Sequence, residues 1–81
     1  MKYYLKDDQN IDVIINNLLK LDNVYESRNN EKLCMLGYKD SFDDNHESIL
    51  IRKNTRQVVF GATSNMFKDK LKDKVTVSFT D

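Results

Sequence analysis

The stretch Ser48-Ile49-Leu50-Ile51-Arg52-Lys53-Asn54-Thr55-Arg56-Gln57-Val58-Val59-Phe60-Gly61 constrains the fold of this chain more than any other. Two β-branched and aromatic runs flank a short polar turn, which reads as a β-hairpin. Both of its faces are apolar, so it is expected to be covered on both sides. That points to a folded α+β domain and away from a disordered tail or a helical bundle. No comparable segment specifies a chemistry.

The 81 residues allow a single domain spanning 1–81, with one core and an expected radius of gyration of about 12 Å. A domain of this size hides roughly 60–65 % of its unfolded surface, which leaves little room for a deep catalytic cavity. With one cysteine, Cys34, no intrachain disulfide can form, and a reducing compartment is expected. The segment Met1-Lys2-Tyr3-Tyr4-Leu5-Lys6-Asp7-Asp8 has no long apolar run before its charges. Nowhere does the chain approach the roughly 18 consecutive apolar residues of a membrane span. The expectation is a cytoplasmic protein with no membrane partner.

A net charge of zero conceals an asymmetry. Residues 1–51 carry six Lys/Arg against ten Asp/Glu, while residues 52–81 carry seven against three. Opposite charge toward the two ends can steer a charged partner, or the halves can neutralise each other across the folded surface. Lysine and asparagine are abundant, alanine occurs once and proline never. That usage matches AT-rich codons and points to a low-GC bacterium or one of its phages.

Lys2 to Leu5 can form a first strand, and Asp7 or Asp8 is the expected N-cap of the helix that follows. Ile11, Ile14, Ile15, Leu18 and Leu21 recur at helical spacing opposite Asp12, Asn16, Asn17 and Lys20. This is one amphipathic helix, ended by Asp22-Asn23. Val24 to Arg28 and Leu33 to Tyr38 read as strands joined by Asn29-Asn30-Glu31-Lys32, where asparagine tolerates positive φ. The second of these strands is apolar on both faces and is expected to lie centrally. Gly37 within it predicts a bulge or a close backbone approach where the helix crosses.

After the loop from Lys39 to Glu47 and the hairpin, Thr63 or Ser64 can cap a short helix through Leu71. Phe67 and Leu71 fall on its buried side. Val75-Thr76-Val77-Ser78-Phe79 alternates strictly, as a strand does with one face in the core and one in water. The expected fold class is α+β: an antiparallel sheet of about five to six strands, order β-α-β-β-β-β-α-β. One main amphipathic helix packs on it, with the second near an edge.

The Lys39–Glu47 loop concentrates Asp40, Asp43, Asp44, Asn45, His46 and Glu47. A hard cation needs about six to eight converging oxygens, and this loop has neither the glycine nor the spacing that would wrap one. A solvated acidic turn is expected, and no metal or cofactor. Its alternative role is a partner-binding loop of Asp40, Phe42, Asp43, Asp44 and Glu47, anchored by Phe42. Cys34, mid-strand between apolar neighbours, suits a small buried side chain better than a nucleophile paired with His46. One cysteine and one histidine do not make a structural zinc site. The two glycines, Gly37 and Gly61, are too far apart for a phosphate loop.

Basic residues offer more. Arg52, Lys53 and Arg56 surround the hairpin turn, and Lys68, Lys70, Lys72 and Lys74 crowd the second helix and its exit. Should the hairpin tip and that helix share one side, these cations form a patch fit for phosphates, diluted by Asp69 and Asp73. The aromatic residues Tyr3, Tyr4, Tyr25, Tyr38, Phe42, Phe60, Phe67 and Phe79 form no stacking motif, and most are expected on core faces. The order of elements resembles the α-β-β-β-α run of the double-stranded-RNA-binding domain. The resemblance ends there, because Thr63-Ser64-Asn65-Met66-Phe67 lacks the lysine-rich motif that opens that domain's last helix.

Elimination therefore favours a protein that is not an enzyme. Its expected role is a small protein-binding inhibitor that occludes a larger macromolecule, such as a nuclease or nucleoprotein complex. Phage anti-defence proteins, anti-CRISPR proteins among them, and toxin immunity proteins share this size and style. The alternative is a nucleic-acid-binding protein that uses the basic hairpin and second helix.

Overall fold

The computed structural model describes residues 1–40 and 46–79, and the elements follow the expected order. They are β1 (Lys2–Leu5), α1 (Ile11–Leu19), β2 (Val24–Asn29), β3 (Leu33–Lys39), β4 (His46–Arg52), β5 (Gln57–Phe60), α2 (Asn65–Leu71) and β6 (Val75–Ser78). The strands join one antiparallel sheet in the order β2-β3-β4-β5-β1-β6. β2 to β5 make the meander, and β1 then inserts between β5 and β6. The fold is α+β with a radius of gyration of 12.2 Å, the value expected from length.

Helical spacing puts Ile14, Ile15 and Leu18 of α1 and Phe67 and Leu71 of α2 into the interior. They meet Leu5, Cys34, Leu36, Ile49, Ile51 and Val58 from the sheet in one buried cluster. Both helices thus cover the same side. Register places Tyr3, Val58, Ile51 and Cys34 in one row across that side and Phe60, Ile49 and Leu36 in the next. α2 packs against the central strand β4, not near an edge as expected, because Phe67 and Leu71 fit over its buried isoleucines.

The opposite face of the sheet is covered by no described element. The hairpin is therefore buried on one side only: Ile49 and Ile51 are buried, whereas Ser48, Arg52 and Val59 are exposed and Leu50 is half-buried. An antiparallel sheet can leave one face to water, and an aliphatic run does not by itself announce two-sided burial. β6 departs from expectation in the same way. Val77 is 42 % and Phe79 80 % exposed, because the helices pack against β2 and β4, away from that edge.

Local signals shifted as well. The α1 cap is Asn10, whose Oδ1 accepts from the Val13 N–H at 3.1 Å, and not Asp7 or Asp8. Those residues lie in a turn pinned by Arg56, whose guanidinium donates to the carbonyls of Leu5, Lys6 and Gln9. α1 ends at Leu19, and Asn23, with φ 68°, turns the chain into β2. In the β2–β3 turn Asn30 works through its side chain, accepting from the N–H groups of Lys32 at 2.8 Å and Leu33 at 3.1 Å. The bulge lies in β2, between Glu26 and Arg28. Gly37 does mark a close approach, by a tyrosine and not by a helix: a Cβ there would sit 2.3 Å from Cζ of Tyr25.

Candidate binding face

Side chains alternate along each strand and directly opposed residues share a face, so register assigns every position on the helix-free side. One row runs Met35–Leu50–Val59, with Arg28 beyond Met35 on β2. A neighbouring row pairs Tyr25, Gly37 and Ser48, and the next pairs Lys39 with His46. On the other flank lie Leu33 and Arg52, then Gln57 with Tyr4 and Thr76. Lys2 and Ser78 complete the face at the β1–β6 end.

Two properties follow. The centre is aliphatic and accessible, with Met35 37 % and Val59 38 % exposed. The perimeter is cationic: Lys2, Arg28, Lys39 and Arg52 all point to this side, and no strand position on it carries a carboxylate. Glu26 and Glu47, the carboxylates within the strands, belong to the helix-covered side by their pairing with Leu36 and Tyr38. Tyr25, 48 % exposed, is held flat by the absence of a side chain at Gly37.

The residues singled out from sequence are dispersed. Phe42, Asp43 and Asp44 lie outside the described residues. Asp40 is half-buried just beyond β3, and Glu47 faces inward: its Oε1 accepts from the Met66 N–H at 2.8 Å, at the start of α2. Glu47 thereby supplies the cap that Ser64 does not, since the Ser64 hydroxyl donates to the Gly61 carbonyl at 3.0 Å.

Of the basic residues, Arg52 lies on the helix-free face, whereas Lys68, Lys70, Lys72 and Lys74 belong to the helical layer on the other side. The seven cations are therefore not brought together as one patch. Arg56 is engaged in its three carbonyl bonds, and Lys53 Nζ donates to Asn29 Oδ1 at 2.6 Å. Lys68 lies over the Phe60 ring at 5.8 Å, and Lys72 meets Asp69 at 3.8 Å.

Cys34 is buried, and burial pushes its thiol pKa up, with Glu26 adding to the shift and Lys53 opposing it. His46 lies on the opposite face and opposes Lys39, whereas Cys34 opposes Ile51. Five residues of strand separate the two positions, roughly 16 Å at the ordinary rise. Among the described residues no three His, Cys, Asp or Glu side chains gather as a metal site. The groove between α1 and α2, lined by Ile14, Leu18, Leu21, Leu71, Lys70 and Lys74, encloses about 190 Å³. Small-molecule sites ordinarily enclose roughly 300–1,000 Å³. No described helix is long and apolar enough to cross a membrane.

Sequence reasoning passed over Lys2, Tyr25, Arg28, Met35, Lys39, Leu50 and Val59 as a group. The available signal was the alternation in β4, where His46, Ser48, Leu50 and Arg52 share one side; it gains meaning only once register links it to β2, β3 and β5. No family model, curated protein or solved structure matches this chain.

Proposed function

We propose that this protein is a small non-enzymatic binding module that covers part of a larger protein in the manner of an inhibitor, and that it docks through the helix-free face of the sheet. The observation that carries this reading is the accessible Met35–Leu50–Val59 row ringed by cations with no strand carboxylate among them. Interface cores are depleted in charge and enriched in Tyr, Met and Arg, the residue types gathered here. Cations at the perimeter complement an acidic partner and speed its encounter. Inhibitors of nucleases or nucleoprotein complexes, including anti-defence and immunity proteins, are the functional group this reading favours.

Nucleic acid is the weaker fit. A single-strand platform stacks bases on aromatic rings at its centre. Here the centre is aliphatic, and Tyr25 and Tyr4 stand toward the two sides. Of the basic residues the nucleic-acid alternative needs together, Arg52 lies across the sheet from the lysines of α2, and the Arg56 guanidinium is bound to the carbonyls of the β1–α1 turn.

The test is capture from lysate of the producing cell or its host, with and without nuclease, using the parent, Val59→Glu and Lys72→Glu. The expected result is a protein retained by the parent and by Lys72→Glu and lost from Val59→Glu, which must melt like the parent. Retention of nucleic acid alone, weakening steeply with salt, replaces the reading with the alternative. Loss only from an Asp43→Lys, Asp44→Lys variant moves the site to the acidic loop.

A further inference from the structure

We propose that the outer edge of β6, which pairs with no other strand among the described residues, is a homodimer interface, at which two copies join antiparallel about Val77 to form one continuous sheet. The sheet has two edges, β2 and β6, and they are built differently. Edge strands in monomeric proteins are blunted by bulges, charges or proline. β2 has a bulge and carries two charges, Glu26 on the helix-bearing side and Arg28 on the other. β6 has none of these: Val75-Thr76-Val77-Ser78, with Phe79 directly after it, is uncharged, rich in β-branched residues and unbulged. Its apolar side is the helix-bearing one, which the helices do not reach at this edge, so that Val77 is 42 % and Phe79 80 % exposed.

The backbone fixes which groups are free. Leu5 N–H bonds to the Arg56 carbonyl at 2.9 Å, so β1 directs Tyr3 and Leu5 toward β5. Lys6 N–H bonds to the Lys74 carbonyl at 2.9 Å, so Lys2, Tyr4 and Lys6 serve β6. With the register Lys2↔Ser78 and Tyr4↔Thr76, the peptide groups of Thr76 and Ser78 are used toward β1. Those of Val75 and Val77 point outward, because bonded and non-bonded pairs alternate along an antiparallel ladder, and continuing β6 by one residue turns the peptide group of Phe79 the same way.

Two such edges match in one way about a two-fold axis at Val77: Val77 opposes Val77 of the second copy, Val75 opposes Phe79, and Thr76 opposes Ser78. Every outward peptide group then finds a partner. The apolar side chains fall on one face and the hydroxyls on the other, and no two charges within these pairs oppose each other. Self-complementarity of this kind is what an isologous contact requires. The interface lies at the opposite end of the sheet from Arg28 and Tyr25, and the Val77 side chain stands on the other side of the sheet from the docking face proposed above.

Sedimentation equilibrium of the purified chain should give a mass rising with concentration from 9.6 kDa to twice that value. Val77→Lys, which opposes two like charges across the axis, and Phe79→Lys, at a largely exposed position, should both remain at the single-chain mass and keep the parent's circular dichroism. Val77→Cys should oxidise to a covalent dimer, since Cα atoms of a bonded antiparallel pair lie about 5.5 Å apart, within disulfide range. A parent that stays at the single-chain mass throughout overturns the proposal. So does a dimer that survives both lysine variants, or one in which the Val77→Cys thiols fail to join.

Discussion

Replacing Glu47 separates a structural carboxylate from a surface one. Glu47 is 9 % exposed and its Oε1 accepts from the Met66 N–H at 2.8 Å. α2 has only seven residues, too few to hold a helix without tertiary support. It depends on Phe67 and Leu71 in the core and on this bond across from β4. A hydrogen bond to a charged group contributes about 1.5–3 kcal/mol, and negative charge at a helix start adds about 0.3–1 kcal/mol. Glu47→Ala loses both and leaves the amide without this acceptor, so it should cost about 2–3 kcal/mol. At about 4–8 °C per kcal/mol for a domain of this size, the melting temperature should fall by roughly 8–24 °C. Glu47→Gln keeps an oxygen in place and loses only charge, so its cost should be about 0.5–1.5 kcal/mol. Thermal and urea denaturation followed by circular dichroism measure both. A Glu47→Ala protein as stable as the parent refutes the capping role and returns Glu47 to the solvated loop.

Three further expectations follow from the same geometry. Gly37→Ala should destabilise the parent by displacing the Tyr25 ring, yet stabilise a Tyr25→Ala background by about 0.5–1 kcal/mol, since a strand glycine is otherwise a weak choice; the same sign in both backgrounds removes the ring from the glycine. Arg56 combines φ 67° with guanidinium bonds to three carbonyls, so Arg56→Ala should lose more stability in urea than Arg56→Gly, which relieves the backbone; equal losses would exclude a backbone contribution. Because burial raises the Cys34 thiol pKa, the native state holds its proton after the unfolded thiol has lost it. Stability should then fall as pH rises past the unfolded value, more in the parent than in Cys34→Ala, and a thiol reagent should label native protein far more slowly than unfolded; matching pH slopes or fast native labelling contradicts this.

Element order was legible because helix and strand periods are local properties. Ile14, Ile15 and Leu18 declare α1, and Val75-Thr76-Val77 declares a strand, with no knowledge of neighbours. Layer assignment was not legible in the same way. Ile49-Leu50-Ile51 reads as two-sided burial, whereas the second face of the sheet met no helix. Pairing partners decide that, and they are separated by tens of residues.

Glu47 shows the cost of a boundary placed two residues late. Beginning β4 at His46 puts Glu47 in phase with Ile49 and Ile51, and the carboxylate turns inward. The basic residues failed as a patch for a related reason. Arg52 follows the strand's outward phase, Arg56 is drawn to the carbonyls of the β1–α1 turn, and the lysines of α2 go with the helical layer. Composition put them side by side; topology separates Arg52 from the lysines of α2. Lys2, Arg28 and Lys39 are scattered along the chain and share a face only through the sheet.

The central claim is that the helix-free face is the docking face, and site-specific photocrosslinking tests it most directly. A photoreactive residue is placed at Met35, on the aliphatic row, or at Lys72, at the C-cap of α2, and each protein is irradiated in nuclease-treated lysate of the producing cell or its host. The account predicts one discrete protein adduct from position 35 that is absent from position 72 and abolished by Val59→Glu. An adduct formed from position 72 and not from position 35 contradicts it, as does crosslinking from position 35 to nucleic acid alone in untreated lysate.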